Sequence, residues 1–287
     1  MAKTVADLAL LVFVVGCMLG AGLCLTTGEI LQPLRNARLM ALALVANFIL
    51  VPLLAYLILL VILLNEPLRV GLILLAAAAG APFLPMLARV AKGNVAFSVG
   101  LMIVLMVATV VYMPIVLPIL LPGVQVSPLA IGTNLIVSMI LPLGIGLFFR
   151  ARFESAARSL LWIVDQATRY SMILAFGLIL VLNFKGIGSV IGTGGILVGA
   201  VFVAGALLLG YILGGPGSDT KRVLGLGTGQ RNIAAAMLVA SRNFGDPMVI
   251  VMLVVVTLVG LFILMPVAMR LGKGRQDGEC VPGIQGA

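Results

Sequence analysis

The chain has 287 residues, of which 62% are hydrophobic and only 9% are charged, and its mean hydropathy is +1.28. Apolar runs of this extent exclude a soluble globular protein, because only lipid can bury them. The net charge is +9 and histidine is absent. The lack of histidine argues against an enzyme or a metal-binding protein, since histidine is the commonest general base and metal ligand.

The apolar runs predict an all-α polytopic membrane protein, since one membrane span needs about 20 apolar residues. Nine spans are predicted, at residues 5–27, 38–64, 68–91, 95–121, 128–150, 160–184, 191–213, 221–241 and 247–271. Short linkers join them, so residues 1–271 are interpreted as one transmembrane domain. Residues 272–287 are polar and rich in glycine, which predicts a cytoplasmic tail.

The third and the eighth predicted spans are each interrupted near the middle. Residues 76–85 read AAAAGAPFLP, and residues 225–232 read GLGTGQRN. A broken membrane helix is tolerated only where its unpaired backbone is buried in protein or lines a watery cavity. Spans two to four and seven to nine share the order full, broken, full, and the two triplets start on opposite sides. Paired breaks in such inverted repeats indicate a secondary transporter with a substrate site near the midplane.

Lysine and arginine are distributed unequally between the two sides of the predicted domain. Twelve fall on the side of the C-terminus, and four fall on the opposite side. Because basic residues stay in the cytoplasm, this predicts a cytoplasmic C-terminus and an external N-terminus in a plasma membrane of bacterial type. The positive charge is therefore a topology signal. Aromatic residues do not interleave with it, so no nucleic-acid partner is expected.

Arg231 is the strongest candidate for a functional residue. An arginine inside an apolar span costs roughly 2.5 kcal/mol or more, so it must face protein, water or a partner. It also lies where the second half of the eighth span should begin, and a helix N-terminus attracts anions. Together these features predict an anion site. The alternative is a structural role, in which the guanidinium binds carbonyls freed by the first break, those of Ala78 and Ala81; one side chain can serve both purposes.

Polar residues and glycines surround Arg231. The amides of Gln230 and Asn232 can cap freed backbone groups or contact a substrate. The hydroxyl of Thr228 can donate to the backbone of the broken stretch. Glycines at positions 225, 227 and 229 are expected to let the backbone unwind, which makes Gly229 part of the candidate site.

Prolines mark the first break. Pro82 and Pro85 lack an N–H and clash with the preceding helical turn, so they are expected to end the helix, although Pro85 could produce only a kink. Asn47 is the lone amide of the second span. It is expected either to donate an interhelical hydrogen bond or to line a cavity.

The sixth span contains a pair of opposite charges, Asp165 and Arg169. They lie four residues apart and therefore share one helix face. An ion pair would neutralise both charges within the membrane. Asp165 is also the only acidic residue well inside a span, so this pair is the predicted carrier if a proton is coupled to transport.

Three stretches resemble the bile acid:sodium symporter family. Residues 87–99 read LARVAKGNVAFSV, residues 18–26 read MLGAGLCLT, and residues 227–232 read GTGQRN. The order of segments agrees over nearly the whole chain. The resemblance implies a core of crossed, broken helices at residues 38–121 and 191–271, a panel at residues 5–27 and 128–184, and alternating access for an organic anion.

The resemblance also bears on sodium. Positions where sodium-coupled members supply oxygen ligands hold other residues here, namely Leu84, Pro85, Met102, Gly227 and Arg231. Only Ser98 and Asn47 keep a side-chain oxygen. A hard cation such as sodium needs several oxygen ligands. The resemblance therefore implies that sodium is not a partner here, and that the guanidinium of Arg231 holds the crossed helices in place of the ions.

The predicted function is a secondary transporter that moves a small organic anion without the family's sodium mechanism. The alternative is a membrane sensor or scaffold that kept the fold and lost transport. An enzyme is not expected, because paired carboxylates and a nucleophile motif are missing. Neither a cofactor nor a metal site is predicted. The expected partners are the anion and the lipid bilayer; the sequence identifies neither the anion nor the oligomeric state.

Overall fold

The computed structural model describes residues 2–24, 36–121, 127–182, 184–190 and 192–273, and within these ranges all regular secondary structure is helical. The helices, in chain order, are α1 (Ala2–Cys24), α2 (Ala37–Val61), α3 (Glu66–Ala77), α4 (Leu84–Val90), α5 (Val95–Leu120), α6 (Pro128–Arg152), α7 (Glu154–Leu182), α8 (Phe184–Val190), α9 (Gly195–Leu213), α10 (Ser218–Gly229), α11 (Ile233–Asn243) and α12 (Pro247–Lys273). The all-α prediction is confirmed. The predicted tail lies outside the described residues from residue 274 onward.

Six helices are long and apolar enough to cross a membrane: α1, α2, α5, α6, α9 and α12. They coincide with six of the nine predicted spans, and the polytopic membrane class is confirmed. The third and eighth predicted spans each correspond to a pair of shorter helices, α3–α4 and α10–α11. Helix α7 covers the sixth. The count of nine spans remains a prediction.

The first break separates α3 from α4 and covers residues 78–83. Pro82 accounts for its position, because the proline ring would clash with the carbonyl of Ala78 in a continuous helix. Pro85 has a different role from the one expected. It lies in the first turn of α4, where a missing N–H costs nothing because that group has no helical partner. Pro85 therefore starts the second half-helix and does not end the first.

The second break is shorter than predicted, because α10 stays helical to its end at Gly229 and only residues 230–232 leave the helix. The expectation that the glycines at 225, 227 and 229 unwind is wrong. They permit close packing instead. A Cβ on Gly227 would lie 2.8 Å from Leu84 Cδ2, and one on Gly229 would lie 2.9 Å from Leu264 Cδ2. The glycines thus bring α10 against α4 and α12.

Two long helices contain a π-helical turn shortly before a proline. In α2 the turn is Ala46–Leu50 and Pro52 follows; in α6 the turn is Ile136–Ile140 and Pro142 follows. Proline cannot donate to the carbonyl four residues earlier. In α2 that carbonyl belongs to Phe48, and the Tyr112 hydroxyl of α5 donates to it at 2.7 Å. The turn therefore frees backbone oxygens for partners on other helices.

The helices pack in two groups. Helix α1 packs against α6 and α7, while α9 packs against α10 and α12, and α3 packs against α12 and α2. Helix α11 contacts members of both groups, since it packs on α12 and α3 and also on α1 and the first half of α6. The two broken pairs thus lie among the second group, next to α1.

Candidate functional site

The two breaks meet at Asn232. Its backbone N–H donates to Ala78 O at 2.9 Å, and its side-chain Nδ2 donates to Gly80 O at 3.0 Å. Its Oδ1 accepts from Ala235 N at 3.1 Å, which caps the N-terminus of α11. One asparagine therefore starts the second half-helix and also binds the backbone of the first break.

Arg231 is 6% exposed, and each of its guanidinium nitrogens donates to a protein oxygen. Nε donates to Leu75 O at 3.2 Å, and Nη2 donates to Ala76 O at 2.6 Å. Nη1 donates to Asn47 Oδ1 at 2.7 Å. Longer contacts join Nη1 to Thr228 O at 3.5 Å and Nη2 to Asn47 O at 3.4 Å. Helix α3 ends at Ala77, where carbonyls of the last turn run out of helical donors; Arg231 donates to Ala76 O and adds a second donor to Leu75 O, which also accepts from Ala78 N at 3.2 Å.

The carbonyls that Arg231 binds differ from those expected. Ala78 O accepts from the backbone of Asn232, and Ala81 O accepts from Leu84 N at 3.1 Å. The expectation that Arg231 donates to Ala78 and Ala81 is therefore wrong. The guanidinium lies one turn earlier along α3, because the adjacent Asn232 already occupies the break itself.

Asn47 connects α2 to the second broken pair. It is fully buried in the π-helical turn, and its Nδ2 donates to Thr228 Oγ1 at 3.2 Å and to Ala43 O at 3.0 Å. The prediction of an interhelical donor is confirmed. Thr228 lies in regular helix, and its hydroxyl accepts this bond instead of donating to broken backbone as expected. The amide of Asn47 thereby faces Arg231 with its oxygen and Thr228 with its nitrogen.

Thr109 was missed by the sequence analysis. It is fully buried in α5, and its hydroxyl both donates to Ala79 O and accepts from Ala79 N, each at 3.0 Å. One side chain thus pairs both backbone groups of a residue inside the first break. A hydroxyl in the middle of an apolar helix was the available signal, but its partner is 30 residues away. We call the whole assembly the junction: Asn47, Leu75, Ala76, Ala78, Ala79, Gly80, Thr109 and residues 228–232.

A cavity of about 560 Å³ adjoins the junction. One wall comes from α1 and α7 through Phe13, Cys17, Thr168, Met172, Ile173 and Phe176. The opposite wall comes from both breaks and from α9 and α12. Four candidate residues line it, namely Pro82, Gly229, Gln230 and Arg231. The cavity wall is mostly apolar, with Arg231 as its charged residue.

The remaining candidates lie elsewhere. Ser98 is fully buried, and its hydroxyl donates to Val95 O of its own helix at 2.6 Å. Asp165 and Arg169 are both exposed on α7, and within the described ranges no ion pair joins them. The predicted self-neutralised pair is therefore wrong: a spacing of four places two residues on one face but does not bring their charged ends together. Of the described cavity-lining residues, none is Pro85, Ser98, Asp165 or Arg169.

The charge of Arg231 has no charged partner among the hydrogen bonds it makes. All its acceptors are backbone carbonyls or the amide oxygen of Asn47. These oxygens satisfy the donors but leave a net positive charge in a site of low dielectric constant. The junction therefore places a cationic side chain, without a carboxylate among its hydrogen-bond partners, on the wall of the adjoining cavity.

Residues 9–194 match the family described as the Sodium Bile acid symporter family, which is well over half of the chain. No curated protein matches the chain. The matched residues run from within α1 to beyond the end of α8 and hence contain the first break. The second break, at residues 230–232, lies beyond them, so any role of Arg231 has to be argued from the geometry of the junction.

Proposed function

The chain belongs to the sodium bile acid symporter family, whose members are membrane transporters and not enzymes, and from this premise we propose that it carries a small organic anion by alternating access. We further propose that sodium, which the family's name pairs with its substrate, is not coupled to this transport. The observation that carries both proposals is the buried guanidinium of Arg231, whose charge no direct partner neutralises.

The proposed loss of sodium coupling is supported by the positions where the resemblance expects sodium ligands. Gly227 and Leu84 stand at two of them, and they pack directly against each other, since Leu84 is fully buried and its side chain fills the space beside Gly227. An apolar contact offers a cation no oxygen. Arg231 stands at a third position and places a fixed positive charge there.

The proposed movement follows from the two packing groups. We assign α1, α6 and α7 to the panel (residues 5–27 and 128–184) and the remaining spans to the core (residues 38–121 and 191–271). The cavity lies between them, and α11 joins them through a hydrogen bond from Arg242 to Asn134. Under the orientation predicted from the basic residues, this contact lies on the external side. The structure would then represent a conformation closed toward the outside.

The first experiment measures whether anions bind and whether sodium matters. Purified protein is screened with monocarboxylates by thermal shift in sodium chloride and in choline chloride at equal ionic strength, and uptake of the ligands found is measured in proteoliposomes. We expect stabilisation by at least one anion, equal in both salts within about twofold. A tenfold gain in sodium, about 1.4 kcal/mol of coupling, would contradict the proposal.

A charge-compensating variant tests the role of Arg231. In Asn47→Asp a carboxylate replaces the amide whose oxygen lies 2.7 Å from Arg231 Nη1, so the site loses its net charge. We expect anion affinity to fall at least about tenfold, because the attraction acts in a low dielectric. Asp165→Asn, assayed in the same liposomes under an imposed pH gradient, is a separate test of a proton-carrying role of Asp165. If no anion stabilises the protein or is taken up, the transporter proposal fails and the sensor or scaffold alternative gains support.

A further inference from the structure

We infer that Gln230 is a specificity-determining residue, whose side-chain oxygen accepts a hydrogen bond from a hydroxyl or N–H group that the transported anion carries. The inference rests on the proposed anion-binding function of the same cavity. Gln230 lines that cavity beside Arg231, and its Oε1 atom is buried without a hydrogen-bond partner in the described part of the chain. Buried polar atoms are nearly always paired in folded proteins, so an exception calls for an explanation.

Arg231 does not explain the unpaired oxygen, because its donors are already used. Nε donates to Leu75 O, and the two terminal nitrogens donate to acceptors of α2, α3 and α10. A guanidinium has five N–H groups, and five contacts to protein oxygens account for them. Its charge therefore acts on a ligand through space, and it offers neither Gln230 nor a ligand a free N–H.

The two hydroxyls on the cavity wall do not supply a donor either. Thr168 Oγ1 donates to Val164 O at 2.7 Å, and Thr257 Oγ1 donates to Leu253 O at 2.7 Å. Each hydroxyl has one proton, and both protons are committed to carbonyls of the same helix. Neither hydroxyl therefore donates to Gln230 Oε1, and the uncommitted polar groups of the described wall are those of the Gln230 amide itself, an acceptor at Oε1 and donors at Nε2.

The hydrogen-bonding groups of the cavity wall specify the kind of ligand that fits. Its anionic group lies in the field of Arg231, its carbon skeleton contacts the apolar wall, and a hydroxyl or N–H group donates to Gln230 Oε1, which a turn of the terminal amide brings to the cavity surface. An anion without such a group leaves that oxygen desolvated and unpaired, which is the more costly state. The cavity therefore distinguishes an anion with a donor from its analogue without one, as binding sites built around a polar group do.

The test compares matched pairs of probes on the full-length protein. The pairs are lactate with propionate, mandelate with phenylacetate, and omega-hydroxydodecanoate with dodecanoate, which place the hydroxyl at different distances from the carboxylate. Affinities are measured by calorimetry for the wild type and for Gln230→Leu. We expect the hydroxylated member of at least one pair to bind the wild type about fivefold to tenfold more tightly, the range of one neutral hydrogen bond, and Gln230→Leu to lose this preference.

Two controls separate recognition from folding. Thr257→Val removes a cavity hydroxyl that already has a partner, and it should keep the preference for the hydroxylated probe. Without ligand, Gln230→Leu should melt at or above the wild-type temperature, because it removes an unpaired polar atom; a structural role predicts a lower temperature.

Each outcome of the comparison decides one question. Probes that bind the wild type with no preference in any pair, or a preference that survives in Gln230→Leu, would overturn the inference and leave the anion transporter standing. Failure of every probe to bind would overturn the proposed function, and the inference would fall with it.

Discussion

The first break and the second break, which face each other across the junction, present opposite chemistry. The end of α3 and residues 78–83 offer backbone oxygens, those of Leu75, Ala76, Ala78 and Gly80. Residues 230–232 offer donors, through the guanidinium of Arg231 and the amide and backbone N–H of Asn232. The donors of the second break thus pair with backbone oxygens of the first break and of the end of α3.

The two breaks also differ in backbone conformation. Gly80 in the first break has φ +78°, a left-handed conformation that favours glycine. In the second break no residue has positive φ. The first break is accordingly stabilised by the left-handed conformation of Gly80 and by the hydrogen bonds of Thr109. The second break is stabilised by its own side chains. Four substitutions test this difference, and they follow from the largest expected effect to the smallest.

The largest effect is expected from Arg231. Arg231→Ala removes the donor to Ala76 O and Asn47 Oδ1 and one of the two donors to Leu75 O, so the unliganded protein should lose about 3–5 kcal/mol of stability. Arg231→Lys keeps the charge but not the planar fork, and it should lose nearly as much. Melting of the detergent-solubilised protein without ligand measures both. Arg242→Ala is the control, an exposed arginine at the end of α11, and should cost about 1 kcal/mol or less.

An unchanged melting temperature in Arg231→Ala would show that the hydrogen bonds donated by Arg231 do not stabilise the contact between the breaks. A lysine variant that melts like the wild type while it binds anions would instead assign Arg231 to attraction of the ligand alone.

Gly80→Ala tests the backbone of the first break. A Cβ would lie 2.5 Å from Met106 N and 2.7 Å from Met102 O, both backbone atoms of α5, and the left-handed conformation adds strain. We expect a loss of about 3 kcal/mol, seen as a lower melting temperature and poor expression. Gly177→Ala is the matched control, since nothing lies within 4 Å of a Cβ there. Equal melting temperatures of the two variants would show that the first break does not depend on the left-handed conformation of Gly80.

Asn232→Ala separates the local cap from the contact between the breaks. The variant loses both the cap of α11 and the hydrogen bond to Gly80 O, so it should lose about 2–3 kcal/mol. Asn94 caps α5 in the same way, because its Oδ1 accepts from Phe97 N, but the Asn94 side chain is exposed. Asn94→Ala should lose only about 1 kcal/mol. The difference between the two melting shifts measures the bond across the breaks, and equal shifts would mean that it contributes nothing.

Thr109→Val is expected to have the smallest effect of the four. Valine fills the same volume but leaves both backbone groups of Ala79 unpaired, at a cost of about 1–2 kcal/mol. Thr257→Val serves as the control, because the Thr257 hydroxyl bonds only within its own helix. A Thr109→Val protein as stable as Thr257→Val would show that the first break does not need its hydroxyl partner.

Much of the fold could be predicted from the sequence because the signals are local. The length of an apolar run decides whether it can cross a membrane, and Pro82 interrupts a helix through a clash within four residues. Asn47 and Arg231 were identifiable as residues that need partners, since polar groups inside apolar spans must be satisfied. The same local reasoning failed for Asp165 and Arg169, where shared helical spacing did not produce an ion pair, and for the glycines of α10, which permit packing and do not unwind the helix.

The partners themselves were decided only by the tertiary structure. Arg231 and Ala76 are 155 residues apart, and no pattern along the chain states which carbonyls a guanidinium will reach. The same holds for the match of Leu84 with Gly227 and for the isolated oxygen of Gln230. The sequence by itself determined that two helices would break and that a cation would lie at one break. Which backbone groups pair, and which side-chain atom stays unpaired, depends on how distant helices pack, because hydrogen bonds are set by distance in space and not by position in the chain.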